Sequence, residues 1–89
     1  MFANKEIAMK VIVDISYYPL NVEFVQPIEK FIERLNKRSD LVIKTNETST
    51  HITGEYHVIM QMLQEEMHKE LETQSAVFVM RIVGRKGLD

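Results

Sequence analysis

The chain contains no cysteine among its 89 residues and only three glycines, Gly54, Gly84 and Gly87. Without cysteine there can be no disulfide, thiolate metal site, cysteine nucleophile or iron–sulfur cluster. None of the glycines belongs to the glycine-rich turns that hold phosphates in P-loop and dinucleotide-binding proteins. No apolar run approaches the roughly 20 residues needed to cross a bilayer. These absences exclude most redox, nucleotide-dependent and membrane-spanning classes of protein.

The chain also has little net charge, because its 13 acidic and 11 basic residues leave a net charge of −2. This balance offers no positive field for nucleic acid or for an anionic membrane. The hydrophobic fraction of 45% is that of a folded domain rather than a disordered chain. The first six residues include an acid and lack an apolar core, unlike a secretion signal. We therefore expect one cytoplasmic domain over residues 1–89, with neither nucleic acid nor membrane as a partner.

In the first half of the chain, the spacing of the apolar residues changes once, from a period of two residues to a helical period. From residue 7 to residue 20 apolar and polar side chains alternate, which predicts a long strand with one apolar face that ends at Pro19. The apolar face carries Met9, Val11, Val13, Ile15 and Tyr17. Residues 24–38 then show a helical stripe, and proline at position 27 places the helix start near residue 23.

The second half predicts two short strands, a helix and a last strand. Residues 41–46 and 49–53 are β-branched runs joined by a turn at 46–48, so they should pair antiparallel. Gly54 interrupts the chain before a second helix over about residues 55–72, and residues 76–83 form the final strand. The order β-α-β-β-α-β predicts a ferredoxin-like α+β fold, with a four-stranded antiparallel sheet and both helices on one face.

The sheet face without helices should be partly apolar. It would carry Ile12, Tyr18 and part of the final strand. An uncovered apolar sheet face on a small protein is typical of an interface, which favours homo-oligomerisation through this face or through the edge strands. The alternative is that these side chains are scattered singly over an ordinary surface.

Metal and nucleophile chemistry have little support in the sequence. Glu65 and His68 form a single Glu-x-x-His pair on the charged side of the second helix, whereas carboxylate di-metal sites need two such pairs and further acids. Ser49 and Thr50 stand in no nucleophile elbow, and no Ser-His-Asp order suggests a triad. We therefore predict no metal site, no cofactor and no catalytic residue.

A binding site is predicted where two segments meet. In the split βαβ order the end of the first strand, with Tyr17 and Tyr18, lies beside the start of the third, near Ser49 and Thr50. Tyrosine rings offer a flat apolar surface with a polar tip, and small hydroxyl side chains supply adaptable donors and acceptors. This combination suits a small planar heteroaromatic ligand, and Glu47 could favour a cation. A polar turn beside two packed tyrosines is the alternative.

Two strings of residues resemble a known family. Residues 16–20 read SYYPL, and residues 49–55 read STHITGE and lead into Val58. They resemble the Ser-x-Tyr-Pro strand end and the Thr-x-x-x-Gly turn of the thiamine-binding, YkoF-like family. The resemblance runs over about residues 7–86 and includes a basic residue after the last strand, here Arg85. Tyr17 stands where some members carry an aliphatic residue.

The resemblance implies a ferredoxin-like domain that binds thiamine or its hydroxymethylpyrimidine moiety without catalysis, for salvage or transport. It also implies a homotetramer built as a dimer of dimers. By position, the ligand contacts would be Tyr17 and Thr50, with Ser49, Asn46 and Glu47 as neighbours. The alternatives are a structural homo-oligomerisation module, an RNA-binding domain of the same topology and a small phosphatase. The charge opposes RNA, and the missing phosphate loop ranks the phosphatase last.

Overall fold

A computed structural model describes residues 9–84 of the chain. The predicted strand start at residues 7 and 8 and the basic residue Arg85 lie outside this range. Six elements follow one another in the described part. They are β1 (Lys10–Pro19), α1 (Val25–Leu35), β2 (Val42–Thr45), β3 (Thr50–Glu55), α2 (Tyr56–Thr73) and β4 (Ala76–Val83). Neither helix is long and apolar enough to span a membrane.

The four strands form one antiparallel sheet in the order β2-β3-β1-β4. Both helices pack on one face of it, which confirms the ferredoxin-like fold predicted from the element order. The central pair β1 and β3 brings Ile15 opposite Thr50, and β4 brings Ala76 opposite Pro19. The end of β1 therefore lies beside the starts of β3 and β4, as the topology requires.

The hydrophobic core lies between the helices and the inner face of β1. The strand alternation is confirmed, because Val11, Val13, Ile15 and Tyr17 are all buried. Met9, predicted to share this face, is 54% exposed. It precedes the strand, and its carbonyl instead accepts a hydrogen bond from the Tyr56 N–H at 2.7 Å, where α2 begins.

Helix α1 is shorter than its predicted span of residues 24–38. It ends at Leu35, and Asn36 caps it through its backbone N–H. Arg38, the last residue of the predicted span, lies beyond the helix and pairs with Asp40 at 2.9 Å. At the other end Phe24 and Val25 are about half exposed, so the apolar stripe is buried only in its second half.

The predicted interruption at Gly54 is wrong, because β3 continues through it to Glu55 and α2 follows directly. Glu55 caps the helix, since its side chain accepts a hydrogen bond from the Val58 N–H at 3.2 Å. A Cβ at Gly54 would overlap a methyl group of Leu41, so glycine permits close packing here rather than a chain break.

The outer face of the sheet is partly apolar, as predicted. Tyr18, Val77, Val79 and Val83 are each about half exposed. A small polar cluster lies among them, because Arg81 on β4 and His51 on β3 are the register neighbours of Asp14. The Ser49 hydroxyl and the Arg81 guanidinium hold the pKa of Asp14 below its usual value.

Candidate functional site

A cavity of about 470 Å³ lies at the end of the sheet where β1 finishes and β3 begins. Helix α1 forms one side and the β2–β3 hairpin forms the other. The lining consists of residues 15–19 and 45–50 together with Phe24, Ile28, Phe31 and Ile32. Its volume is within the range of about 300–1,000 Å³ that holds small ligands. All five residues predicted to contact a ligand, Tyr17, Thr50, Ser49, Asn46 and Glu47, line this cavity.

Strand register is what brings these two segments together. Thr50 lies opposite Ile15 on β1 and opposite Thr45 on β2, so it occupies the centre of the sheet end. The Ser16 hydroxyl donates to the Thr48 carbonyl at 3.0 Å and ties the hairpin turn to β1. The polar turn is therefore fixed against the strand whose end carries the tyrosines.

The hairpin turn is organised by the side chain of Asn46. Its Oδ1 accepts the backbone N–H groups of Thr48 and Ser49, each at 2.8 Å, and the Thr48 hydroxyl at 3.1 Å. This is the local bonding by which asparagine favours turns. The Asn46 oxygen is therefore engaged in shaping the hairpin, and only its amide nitrogen is a candidate for direct ligand contact.

Two threonine hydroxyls form the innermost polar part of the wall. The Thr50 Oγ1 lies 3.1 Å from the Thr45 Oγ1, and either oxygen can donate to the other. Thr50 is only 4% exposed, whereas Thr45 and Glu47 are exposed. A hydroxyl pair has both donor and acceptor capacity left for a ligand. Glu47 places a carboxylate at the rim.

The opposite wall is aromatic. The Tyr17 ring is stacked nearly parallel to that of Phe78, with the ring centroids 4.5 Å apart. Phe31 meets the Tyr17 ring edge-on, with the centroids 5.1 Å apart. Such stacked and edge-on pairs are favourable arrangements of aromatic quadrupoles. Tyr17 and Phe31 line the cavity, so this cluster gives it a fixed apolar side.

The Tyr17 hydroxyl is already bound within the protein. It donates to Glu70 Oε1 at 2.5 Å and accepts from the Gln74 side-chain amide at 3.0 Å. Burial, followed by the Glu70 carboxylate, raises the pKa of Tyr17. The sequence predicts a polar tip from tyrosine at this site. In the structure the contribution of Tyr17 to the cavity is its ring.

Glu70, which holds the Tyr17 hydroxyl beside the cavity, is not predicted by the sequence pattern. Its charge favours the solvated side of α2, but it is buried, with 7% exposure. Its second oxygen, Oε2, accepts a hydrogen bond from Arg34 of α1 at 2.6 Å. Its position, seven residues after the buried Leu63, continues the apolar period and was the available signal. The apolar Leu71 that follows it is about half exposed instead.

None of the three histidines lines the cavity. His51 Nε2 lies 3.4 Å from Asp14 Oδ1 on the outer sheet face, and His68 Nδ1 lies 3.6 Å from Glu72 Oε1 on α2. Over residues 9–84 there is no group of three histidine, cysteine or carboxylate side chains that could hold a metal ion.

Solved structures with the same arrangement exist, although no protein-family model and no curated protein matches the chain. The protein TM0486 of Thermotoga maritima, proposed to act in thiamine biosynthesis or salvage, aligns with a TM-score of 0.80 and 21% identity, over 88% of this chain and 86% of that one. The hypothetical protein MJ1052 of Methanocaldococcus jannascii aligns with a TM-score of 0.79 and 26% identity, over 91% and 86%.

The chain shares their fold. A Streptococcus pneumoniae protein, SP2199, aligns similarly, with a TM-score of 0.78 and 20% identity over 86% of this chain and 89% of that one. These similarities support the predicted resemblance as far as the fold that this chain shares with a group of small ferredoxin-like proteins. The narrower assignment to the YkoF-like family stays a prediction.

Proposed function

We propose that the chain is a non-catalytic, cytosolic module that binds thiamine or its hydroxymethylpyrimidine moiety for salvage or transport. The observation that carries this proposal is the cavity of about 470 Å³, with an aromatic wall on one side and a hydroxyl-rich hairpin on the other. Small-molecule sites commonly have this construction, in which apolar walls hold a ring and a few polar groups orient it.

The chemistry of the two walls matches an aminopyrimidine. Its ring nitrogens accept hydrogen bonds and its amino group donates them, and the Thr45–Thr50 hydroxyl pair can do both. The flat ring can pack against the aromatic side formed with Tyr17. The thiazolium of thiamine carries a fixed positive charge, for which Glu47 at the rim is a counter-ion.

The structural neighbours add support at the level of the fold. The Thermotoga maritima protein, which is proposed to act in thiamine biosynthesis or salvage, has the same fold over most of its length. For this chain the ligand is inferred from the cavity, and the neighbour indicates which heteroaromatic compounds to test first.

Binding without catalysis is the form of the proposal that the lining residues favour. Acid–base catalysis needs a titratable group within reach of the substrate. Among the described lining residues the only carboxylate is Glu47, which is exposed. The Tyr17 hydroxyl is bound to Glu70, and the burial that raises its pKa keeps it protonated.

A thermal-shift series with thiamine and hydroxymethylpyrimidine tests the proposal directly. A ligand that binds only the native state stabilises it by about 2.7 kcal/mol at 100 times its dissociation constant. We expect a rise in the unfolding temperature with at least one of the two compounds. If neither compound changes the unfolding temperature, the proposal is wrong and the structural homo-oligomerisation module becomes the better interpretation.

Thr50→Val locates the site, because it removes the buried hydroxyl and nearly conserves the side-chain shape. Losing one hydrogen-bond partner should weaken thiamine binding about tenfold, which corresponds to about 1.4 kcal/mol. The matched control is Thr53→Val, on the same strand but outside the cavity lining. Calorimetry should show the loss in the first variant only. Equal affinities in both variants would place the ligand elsewhere.

We also propose that the apolar outer face of the sheet associates with second copies of the chain, in a homotetramer built as a dimer of dimers. The half-exposed valines of β4, Val77, Val79 and Val83, lie directly beside β1 in the sheet register. Burial of half-exposed apolar side chains such as these favours association. The charge substitution described in the Discussion tests this proposed oligomeric state of the chain.

A further inference from the structure

We infer that the cavity selects unphosphorylated heteroaromatic ligands, neutral or cationic, and discriminates against their phosphate esters. This inference rests on the proposed function and specifies its ligand class. Three observations on the charges and hydrogen-bond donors around the cavity carry it, and the one opposing feature, the start of α1, is weakened by its own sequence.

The charge at the rim is negative. Of the lining residues in the described part of the chain, Glu47 is the one with a full charge at neutral pH. Its carboxylate attracts a thiazolium cation and repels a phosphate group. Since Glu47 is exposed, the effect is moderate and depends on salt.

The backbone N–H groups of the hairpin turn are occupied. Turns of this kind can cradle phosphate when successive N–H groups point outward. Here the Thr48 and Ser49 N–H groups both donate to Asn46 Oδ1 at 2.8 Å. A phosphate would have to replace bonds that hold the turn together.

The arginine nearest to the aromatic wall is also committed. The Arg34 guanidinium lies over the ring of Phe31, with 5.9 Å from its central carbon to the ring centroid. It donates to Glu66 Oε1 at 2.5 Å and to Glu70 Oε2 at 2.6 Å. Two carboxylates therefore neutralise this cation, and a phosphate ligand would have to compete with both.

The start of α1 is the feature that would favour an anion, because Phe24 and Ile28 line the cavity and helix N-termini attract phosphate. Two features weaken it. Pro27 supplies no N–H in the first turn, and Glu23 places a carboxylate just before the helix. The partial positive charge of a helix end, about half a unit, is opposed by two full negative charges at positions 23 and 47.

Calorimetric titration with thiamine, thiamine monophosphate and thiamine diphosphate at low salt tests the inference. We expect the diphosphate to bind at least about tenfold more weakly than thiamine, with the monophosphate between them. Equal or tighter binding of the phosphates would overturn the inference and leave the proposed function intact. If neither thiamine nor hydroxymethylpyrimidine binds, the inference and the proposed function are both overturned.

A charge reversal at the rim gives a second, independent measurement. Glu47→Lys should narrow the affinity gap between thiamine and its diphosphate by about tenfold at low salt, and added salt should reduce this effect. The control is Glu33→Lys, which makes the same change of net charge on the exposed side of α1, outside the cavity. If the ratio of the thiamine and diphosphate affinities changes equally in both variants, the effect comes from net charge. This result would contradict a role for Glu47 at the rim of the cavity.

Discussion

The ring and the hydroxyl of Tyr17 have different roles. Its ring lines the cavity and stacks on Phe78, while its hydroxyl lies between Glu70 and Gln74. A buried carboxylate that keeps all its donors is stable, but one that loses a donor bears an uncompensated desolvation cost. The hydroxyl therefore fixes the aromatic wall and satisfies Glu70 at the same time.

Tyr17→Phe tests this arrangement against the neighbouring Tyr18→Phe. The first variant leaves Glu70 Oε1 without its tyrosine donor and should lower the free energy of unfolding by about 1–3 kcal/mol. The second removes a hydroxyl from a side chain that is about half exposed, and should change it by less than about 0.5 kcal/mol. Urea unfolding measures both. Similar values for the two variants would contradict a stabilising role for the buried hydroxyl.

At the scale of elements, the contact between α1 and α2 is partly ionic. Arg34 of α1 bridges Glu66 and Glu70 of α2, and Lys69 adds a second cation to Glu66 at 3.2 Å. Burial opposes ionisation of Glu66, but hydrogen bonds from Arg34 and Lys69 outweigh it and hold its pKa below the ordinary value. The two helices are thus held over the sheet, and over the cavity, by charged groups as well as by apolar packing.

This depressed pKa predicts a loss of stability in acid. A carboxyl with a lower pKa in the folded state stabilises the fold above its unfolded pKa of about 4.3, and the contribution is lost as the pH falls through the folded value. The free energy of unfolding should therefore decrease between about pH 5 and pH 3.

Glu66→Gln should remove part of that pH dependence and cost about 1 kcal/mol at neutral pH. Glu65→Gln is the control, because Glu65 is an exposed neighbour on the same helix. Denaturant unfolding across the pH range compares the two variants. An unchanged acid loss in Glu66→Gln would show that other carboxyl groups, such as Asp14 or Glu55, account for it.

At the scale of the whole molecule, the helices cover only one of the two faces of the sheet. The inner face is covered by the helices, with the cavity at one end, while the outer face leaves Tyr18, Val77 and Val79 about half exposed. Small domains bury a limited fraction of their surface, so association through an apolar face adds stability that one chain lacks.

Val79→Glu places a charge on this outer face, opposite Ser16 in the register. If the face joins copies of the chain, light scattering after size exclusion should show a smaller species than the tetramer proposed for the unaltered protein. Val22→Glu is the control, since Val22 is 97% exposed and precedes α1. Circular dichroism checks that both variants fold. A mass that is the same for all three proteins would count against the face as the interface.

Local patterns in the sequence were sufficient for the element order. The alternating pattern of β1 correctly predicts that Val11, Val13 and Ile15 are buried. The four-residue strand β2 lies within its predicted span, and the eight-residue strand β4 matches its predicted span. Such patterns depend on backbone geometry alone, with period 2 in strands and 3.6 in helices. Once the order was known, the topology placed Tyr17 near Thr50, and both line one cavity.

The roles of individual polar groups were decided by the tertiary structure. Glu70 could be recognised as buried only when Arg34 and Tyr17, 36 and 53 residues away, supplied its donors. For the same reason the direction of the Tyr17 hydroxyl could not be predicted from the strand. The absence of cysteine and of glycine-rich turns, a property of the sequence by itself, excluded thiolate chemistry and glycine-rich phosphate loops. Which side chains remain free to bind is set by hydrogen bonds between distant segments, because a buried polar group takes whichever partner the fold brings to it.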